Sequence, residues 1–393
     1  MRGRSPWKRP EPRRGAVLCL AALLLACAPG PRVAVAPIPE YDEAFNRPAG
    51  WVGGDGAHSI ALGEGAVLWT FGDSLVGEVR GGRREIAFFV RNAVALQRGK
   101  TPAAGALSFH FGRTPAGGPS DFFPAAGDGA WRWPFHGLRE EDGLHLFLLS
   151  VQPAEGPEAF AFSPAASLLA LIENPADPPE AWRMRFRELP WGTASRRFGQ
   201  AVLAEGRHAL VYGTLEEKDE AGFVARHLLL ARAPRGRIAD FSAWEFHDGG
   251  GWSAAVERAR PLLTGVAAEF SVSPLAAHSG YVLVASEEGL SPRVLVRFAP
   301  RPEGPWGQAI PVYSCPEAGR DARIFCYAAK GHPALSASPE ELVVTYVANA
   351  TDDGLLASRP ELYRPRFLRL LFKPASGHSH GSSPETERSP LGP

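Results

Sequence analysis

The sequence predicts an all-β fold, and three observations carry that prediction. Gly and Pro are frequent, 43 and 37 in 393 residues, and they are spread over the whole chain. Between them stand short apolar runs with few long helical patterns: 86–96, 144–151, 167–172, 201–203, 209–213, 227–231, 281–286, 294–298, 342–347 and 367–372. Runs of this length bounded by turn residues read as strands. The runs also group into five units, at about 51–112, 121–190, 197–258, 267–313 and 326–373. A four-strand unit repeated every ~50–65 residues is the pattern of a propeller blade, with a pair of β-sandwiches as the alternative.

Each unit opens on a Gly and a strand, continues through two further apolar strands, and ends in a turn bearing Trp or Pro. The third reads Phe198-Gly-Gln-Ala-Val, Leu210-Val-Tyr-Gly, Leu228-Leu-Leu-Ala-Arg and Ala243-Trp-Glu-Phe. The fourth reads Phe270-Ser-Val-Ser, Tyr281-Val-Leu-Val, Val294-Leu-Val-Arg and Gly304-Pro-Trp306. Trp244 and Trp306 sit in unit-end turns and are expected in the core.

The first unit carries the chemistry. It runs Trp51-Val-Gly-Gly-Asp55-Gly-Ala-His58-Ser59, then Val67-Leu-Trp-Thr-Phe-Gly72-Asp73-Ser74. Residues 58–62 and 67–71 read as a hairpin turning at Gly63-Glu64-Gly65. Antiparallel pairing sets the start of one strand beside the end of the next. Asp55 and Asp73 are therefore expected at one edge of one sheet. Paired carboxylates there suit acid/base work on a sugar, or a metal. The plainer reading is that each Asp caps its own Gly turn.

Residues 1–26 are expected to be a targeting signal. Arg2, Arg4, Lys8, Arg9, Arg13 and Arg14 form a basic start, and 16–26 is an apolar run too short to span a bilayer. It ends in Leu24-Leu25-Ala26-Cys27, which resembles a bacterial lipobox; that implies cleavage before Cys27 and its acylation. Ala28 follows, which favours the outer membrane or cell surface of a bacterial envelope. The stretch 27–40 reads as a Pro-rich tether and 374–393 as a disordered tail.

The chain balances 42 basic against 42 acidic residues. Losing the six basic residues and Glu11 of the signal leaves 36 against 41, a net charge of −5. That excludes nucleic acid as an expected partner. Cys315 and Cys326 remain, with ten residues between them, in an oxidising compartment, so a disulfide is expected. No Cys/His cluster has zinc-site spacing, and no metal or cofactor is expected.

Six motifs in order give the chain a resemblance. They are Gly-Gly-Asp55-Gly, Trp69-Thr-Phe-Gly-Asp73-Ser, Val90-Arg91-Asn92-Ala-Val-Ala-Leu, Glu269-Phe-Ser271-Val-Ser, Tyr327-Ala-Ala-Lys330-Gly-His332-Pro and Tyr363-Arg-Pro-Arg366-Phe. Together they resemble the bacterial domain of unknown function 4185 and its relative 5005, over about 41–373. The resemblance implies a five-bladed propeller. Some members of the family are endo-D-arabinanases.

Five-bladed glycosidases place acidic residues at the inner edges of their blades, which implies catalytic roles for Asp55, Asp73 and Glu269. Arg91 and Asn92 interrupt the apolar strand 87–96 and should face a sugar, a site carboxylate or a buried ion pair. His332, in Gly-His-Pro, should donate to substrate or hold the backbone. Trp131, Trp133 and His136 form an aromatic patch for sugar stacking or for packing, with Trp133 favoured because Pro134 stiffens its loop.

Three functions remain open. One is a surface-tethered glycoside hydrolase acting on a complex polysaccharide such as an arabinan. Another is a monomeric, non-catalytic glycan-binding lipoprotein. The third is a propeller scaffold for protein partners.

Overall fold

The computed structural model describes residues 32–125, 129–155, 161–220 and 224–373. The expected signal 1–26, Cys27 and the tail 374–393 lie outside them. Strands dominate, as expected, and no helix of the described residues is long and apolar enough to cross a membrane.

Five antiparallel sheets follow one another along the described chain. The first holds His58–Gly63, Ala66–Phe71, Ala93–Arg98 and Leu107–His110. The second holds Trp131–Glu140, Gly143–Pro153, Phe162–Ile172 and Met184–Glu188. Arg196–Glu205, His208–Lys218, Val224–Pro234 and Glu245–His247 form the body of the third. The fourth comprises Phe270–Leu275, Gly280–Ser286, Arg293–Ala299 and Ile310–Ser314. The fifth comprises Ile324–His332, Glu341–Ala350, Pro365–Lys373 and, on its outside, Arg32–Pro37. A smaller three-stranded sheet, Ala49–Gly54 with Ser74–Arg80 and Arg83–Val90, stands beside the first.

The leading strands of the five sheets pack in sequence, first against second, second against third, and on until the fifth meets the first. A separate apolar core fills each of those five boundaries. Ile60, Leu68 and Val94 meet Leu144 and Leu146 between the first and second. Phe147 meets Phe198 and Trp244 between second and third. Leu210 meets Phe270 and Leu283 at the next boundary, and Val284 meets Val344 and Leu370 at the one after. Trp69 and Phe71 meet Val343 and Phe367 where the fifth sheet returns to the first.

Hydrogen bonds sew several of the same boundaries. The Val202 N–H donates to Nδ1 of His136 at 3.0 Å, and Nε2 of His136 lies 3.1 Å from the Ser59 carbonyl. Gly331 N–H donates to Oγ of Ser271 at 2.6 Å, and Oγ of Ser59 lies 2.8 Å from Nδ1 of His332. Cys315, just past the last strand of the fourth sheet, is disulfide-bonded to Cys326 in the leading strand of the fifth.

Two expectations need correction. The described part of the expected tether 27–40, from residue 32 on, is folded: Arg32–Pro37 is a strand in full register with Lys373 back to Leu368. Val33 and Val35 alternate inward onto the core of the fifth sheet, and Ile38 is buried beyond them. The helix Pro39–Ala44 then buries Tyr41 and Ala44. Prolines 37 and 39 sit where the strand ends and the helix begins, positions that tolerate a missing N–H. The second correction concerns 87–96, which is not one strand. Arg83–Val90 belongs to the three-stranded sheet and Ala93–Arg98 to the first sheet, and the chain crosses between them at Arg91 and Asn92.

Candidate active site

The site grows from the predicted hairpin. His58 pairs with Thr70, and the turn at Gly63, Glu64 and Gly65 closes it. The Asp55 carbonyl accepts from Gly72 N–H at 3.1 Å, so the two acidic turns lie side by side. A Cβ on Gly72 would stand 2.5 Å from Oδ1 of Asp55, so only Gly leaves room for that carboxylate.

Asp55 is buried. Its Oδ2 accepts from the Tyr327 hydroxyl at 2.6 Å. Burial first, then the charges of Asp73 and Glu269, push its pKa up to about 8, against the pull of the Tyr327 hydrogen bond and Lys330. Asp73 has firmer partners. Its Oδ1 accepts from Trp133 Nε1 at 2.8 Å and its Oδ2 from Arg91 Nη1 at 3.2 Å. Burial raises it to about 6, with Trp133 and Arg91 holding it below Asp55. Burial favours the neutral form of both, and the Trp133 N–H and the Arg91 guanidinium favour the ionised form of Asp73.

Glu269 opens the leading strand of the fourth sheet. Its Oε2 accepts from Lys330 Nζ at 2.5 Å. Lys330 is buried and also donates to the Ala328 carbonyl at 3.0 Å. Nε2 of His58 lies 3.9 Å from the same Glu269 oxygen. Burial, then Lys330, holds that imidazole well below its usual range, so the contact joins a neutral ring to a carboxylate rather than two ions. His58 and Lys330 also line a small cavity of about 60 Å³, whose walls are otherwise largely apolar, with Val202, Leu203, Phe270 and Val272 among them.

Three non-glycine residues with positive φ flank these groups: Ala57 at 53°, Ala328 at 60° and Tyr363 at 55°. The Tyr363 hydroxyl donates to the Asp73 carbonyl at 3.0 Å. Its loop is held by Arg84, a buried guanidinium that donates to the carbonyls of Val52, Leu356, Pro360 and Leu362. Such backbone persists only where surrounding contacts over-determine it.

Several expected sugar contacts are spent inside the protein. Asn92 is fully buried; its Nδ2 donates to the carbonyls of Phe123 and Arg132, and its Oδ1 accepts from Phe123 N–H. Both nitrogens of His136 are used between sheets, and burial lowers its pKa to about 4. His332 is likewise enclosed, with Nδ1 2.8 Å from Ser59 Oγ and Nε2 2.7 Å from Thr345 Oγ1. Its ring packs on Trp69 with centroids 5.0 Å apart. Trp133 offers its N–H to Asp73 and its ring to Phe162, edge-on at 4.6 Å. Arg91 is half-exposed.

Tyr327, Lys330, Tyr363 and His58 were not among the expected site residues. The first three stand within motifs quoted above, and His58 follows Asp55 by three positions, so position was the available signal.

The profile of the family described as "Domain of unknown function (DUF5005)" matches residues 39–373, and the chain belongs to that family. No curated protein matches it in sequence. Among solved structures it is similar to one from Bacteroides ovatus described as "a putative hydrolase", with a TM-score of 0.70 and 18% identity over 88% of this chain and 93% of that one. That likeness extends the shared fold over nearly the whole molecule. The alpha-L-arabinofuranosidase of Podospora anserina, in complex with cellotriose, follows at TM-score 0.42 and 10% identity, covering 82% and 92%. The GH43_1 enzyme from Xanthomonas citri complexed with xylotriose gives 0.42 and 14%, covering 84% and 92%.

Proposed function

We propose that this member of the DUF5005 family is a five-bladed propeller with glycoside hydrolase activity on a complex polysaccharide, arabinan being the first to test. The five successive sheets, their leading strands in cyclic contact and a core at every boundary support the blade count. The activity rests on one observation. Asp55 and Asp73 share a sheet edge in unlike settings: Asp55 takes the Tyr327 hydroxyl, whereas Asp73 takes both the Trp133 N–H and the Arg91 guanidinium, which favour its ionised form.

Glycoside hydrolysis needs that division of roles. Asp55, protonated, gives its proton to the glycosidic oxygen as the C–O bond breaks. Asp73, ionised, takes a proton from the attacking water or attacks the anomeric carbon itself, and water completes the exchange. Glu269 is neutralised by its ion pair with Lys330, and its role is to hold the polar wall of the site beside the two aspartates.

The Leu24-Leu25-Ala26-Cys27 sequence supports a lipid anchor at Cys27, holding a monomer at the outer membrane or cell surface. Acyl chains supply such anchoring without a spanning helix. Cys27→Ser should move the protein to the soluble fraction, and retention in membranes counts against the anchor.

A reducing-end assay over a panel of polysaccharides tests the activity. Release by the wild type, lost in Asp55→Asn and Asp73→Asn, is expected. Binding without release would make the protein a glycan-binding lipoprotein instead.

A further inference from the structure

On the edge strand Arg83–Val90 three large apolar side chains stand in solvent: Ile86 at 43% exposure, Phe88 at 45% and Phe89 at 51%. Successive side chains on a strand face opposite sides of the sheet, so Phe88 and Phe89 present separate surfaces. Phe89 is joined to the candidate site. The Arg91 guanidinium carbon lies 4.9 Å from the Phe89 ring centroid and 4.2 Å from that of Trp131. The same guanidinium donates to Asp73 at 3.2 Å. One cation therefore separates an open aromatic ring from a candidate catalytic carboxylate. The backbone N–H of Arg91 donates to Oδ1 of Asp121 at 2.7 Å, which fixes the chain from which that side chain departs.

We propose that Phe89 is a sugar-binding subsite, taking the unit of the polysaccharide next to the one held at Asp55 and Asp73. The inference rests on the glycan reading above. A pyranose or furanose ring has an apolar C–H face that packs on an aromatic ring, with hydroxyls at its rim. Phe89 supplies the aromatic ring, and the Arg91 edge supplies donors for the rim. A protein partner would use the apolar area equally well, but it would gain nothing from the link through Arg91 to Asp73.

Isothermal titration of the full-length protein with short and long arabino-, xylo- and cello-oligosaccharides tests this, comparing wild type with Phe89→Ala and Phe89→Leu. Phe89 is exposed, so both variants should fold, and circular dichroism checks that they do. For the glycan that binds, the wild type should gain affinity with length. Phe89→Ala should lose about tenfold on the long oligosaccharide and nothing on the shortest, the scale of one aromatic face removed. Phe89→Leu, which keeps apolar area without the ring, should fall between. Wild-type binding with Phe89→Ala unchanged at every length overturns the subsite and leaves the glycan reading standing. Equal losses on short and long ligands also overturn it. A wild type that binds no oligosaccharide overturns both.

Discussion

The Tyr327 hydroxyl donates to Oδ2 of Asp55 across 2.6 Å, joining residues 272 positions apart in the chain. The same hydroxyl oxygen accepts from Nδ2 of Asn349 at 3.2 Å, so its own proton is directed at the carboxylate. Burial and the adjacent carboxylates hold the phenol well above its usual range, and it stays a donor. The bond favours the ionised form of Asp55, while burial favours the neutral one.

Tyr327→Phe should therefore raise the Asp55 pKa further above about 8. If Asp55 is the general acid, the alkaline limb of the kcat/KM profile moves to higher pH and the acidic limb stays. A pH titration of kcat/KM reads this directly. An alkaline limb that does not move would rule Asp55 out as the acid.

Trp133→Phe should act on the other limb. It removes the N–H that stabilises ionised Asp73, whose pKa then rises above about 6. The acidic limb moves up, the alkaline limb stays, and kcat/KM near that limb falls by about tenfold, as for one hydrogen bond to a charged group. A variant that moves both limbs together would show one coupled titration rather than two roles.

What the sequence made legible was local. Asp55 and Asp73 could be placed together because one hairpin, with its Gly63-Glu64-Gly65 turn, fixes the register between them. The strand units were legible through apolar runs and turn residues. Long-range polar ties were not. His332 stood out within Gly-His-Pro and His136 beside Trp131 and Trp133, and both settings fit a substrate contact and a bond between sheets equally well. Arg91 and Asn92 did mark the crossing, but with apolar Val90 and Ala93 on either side the pair read as an interruption of one strand rather than a passage between two sheets. The Arg32–Pro37 strand was hidden by its prolines, and its partner lies more than 300 residues away.

Losing the disulfide should weaken the junction of the fourth and fifth sheets. Cys315 and Cys326 are buried and eleven positions apart. The double substitution to Ser should cost about 2–3 kcal/mol on chain-entropy grounds. The urea midpoint measures it, and an unchanged midpoint would show that the surrounding packing holds the junction alone.

His332→Ala tests whether that ring is structural. The substitution strands Ser59 and Thr345 and opens space beside Trp69. A loss of about 2–4 kcal/mol in urea unfolding is expected, within the range for a buried hydrogen-bonded network. The limbs of the pH–activity profile should stay where they are. A normal unfolding curve combined with a shifted limb would return His332 to the functional residues.

Asp55→Asn should reverse part of the pH dependence of stability. In the unfolded chain Asp55 titrates near its ordinary value of about 4; folded, it titrates at about 8. Between those values the folded state holds the proton and the unfolded state does not, so stability falls as pH rises. The contribution is complete below about 4 and gone above about 8, and Asp73 adds a similar fall that ends near pH 6. Asn at position 55 cannot ionise, so the variant should lose less stability between pH 5 and pH 9. Above pH 8 it should melt several degrees higher than the wild type, because no charge is then forced into the buried turn. Thermal melts across that range decide it. A variant that parallels the wild type throughout would mean that Asp55 titrates normally when folded, and the acid role would lose its physical basis.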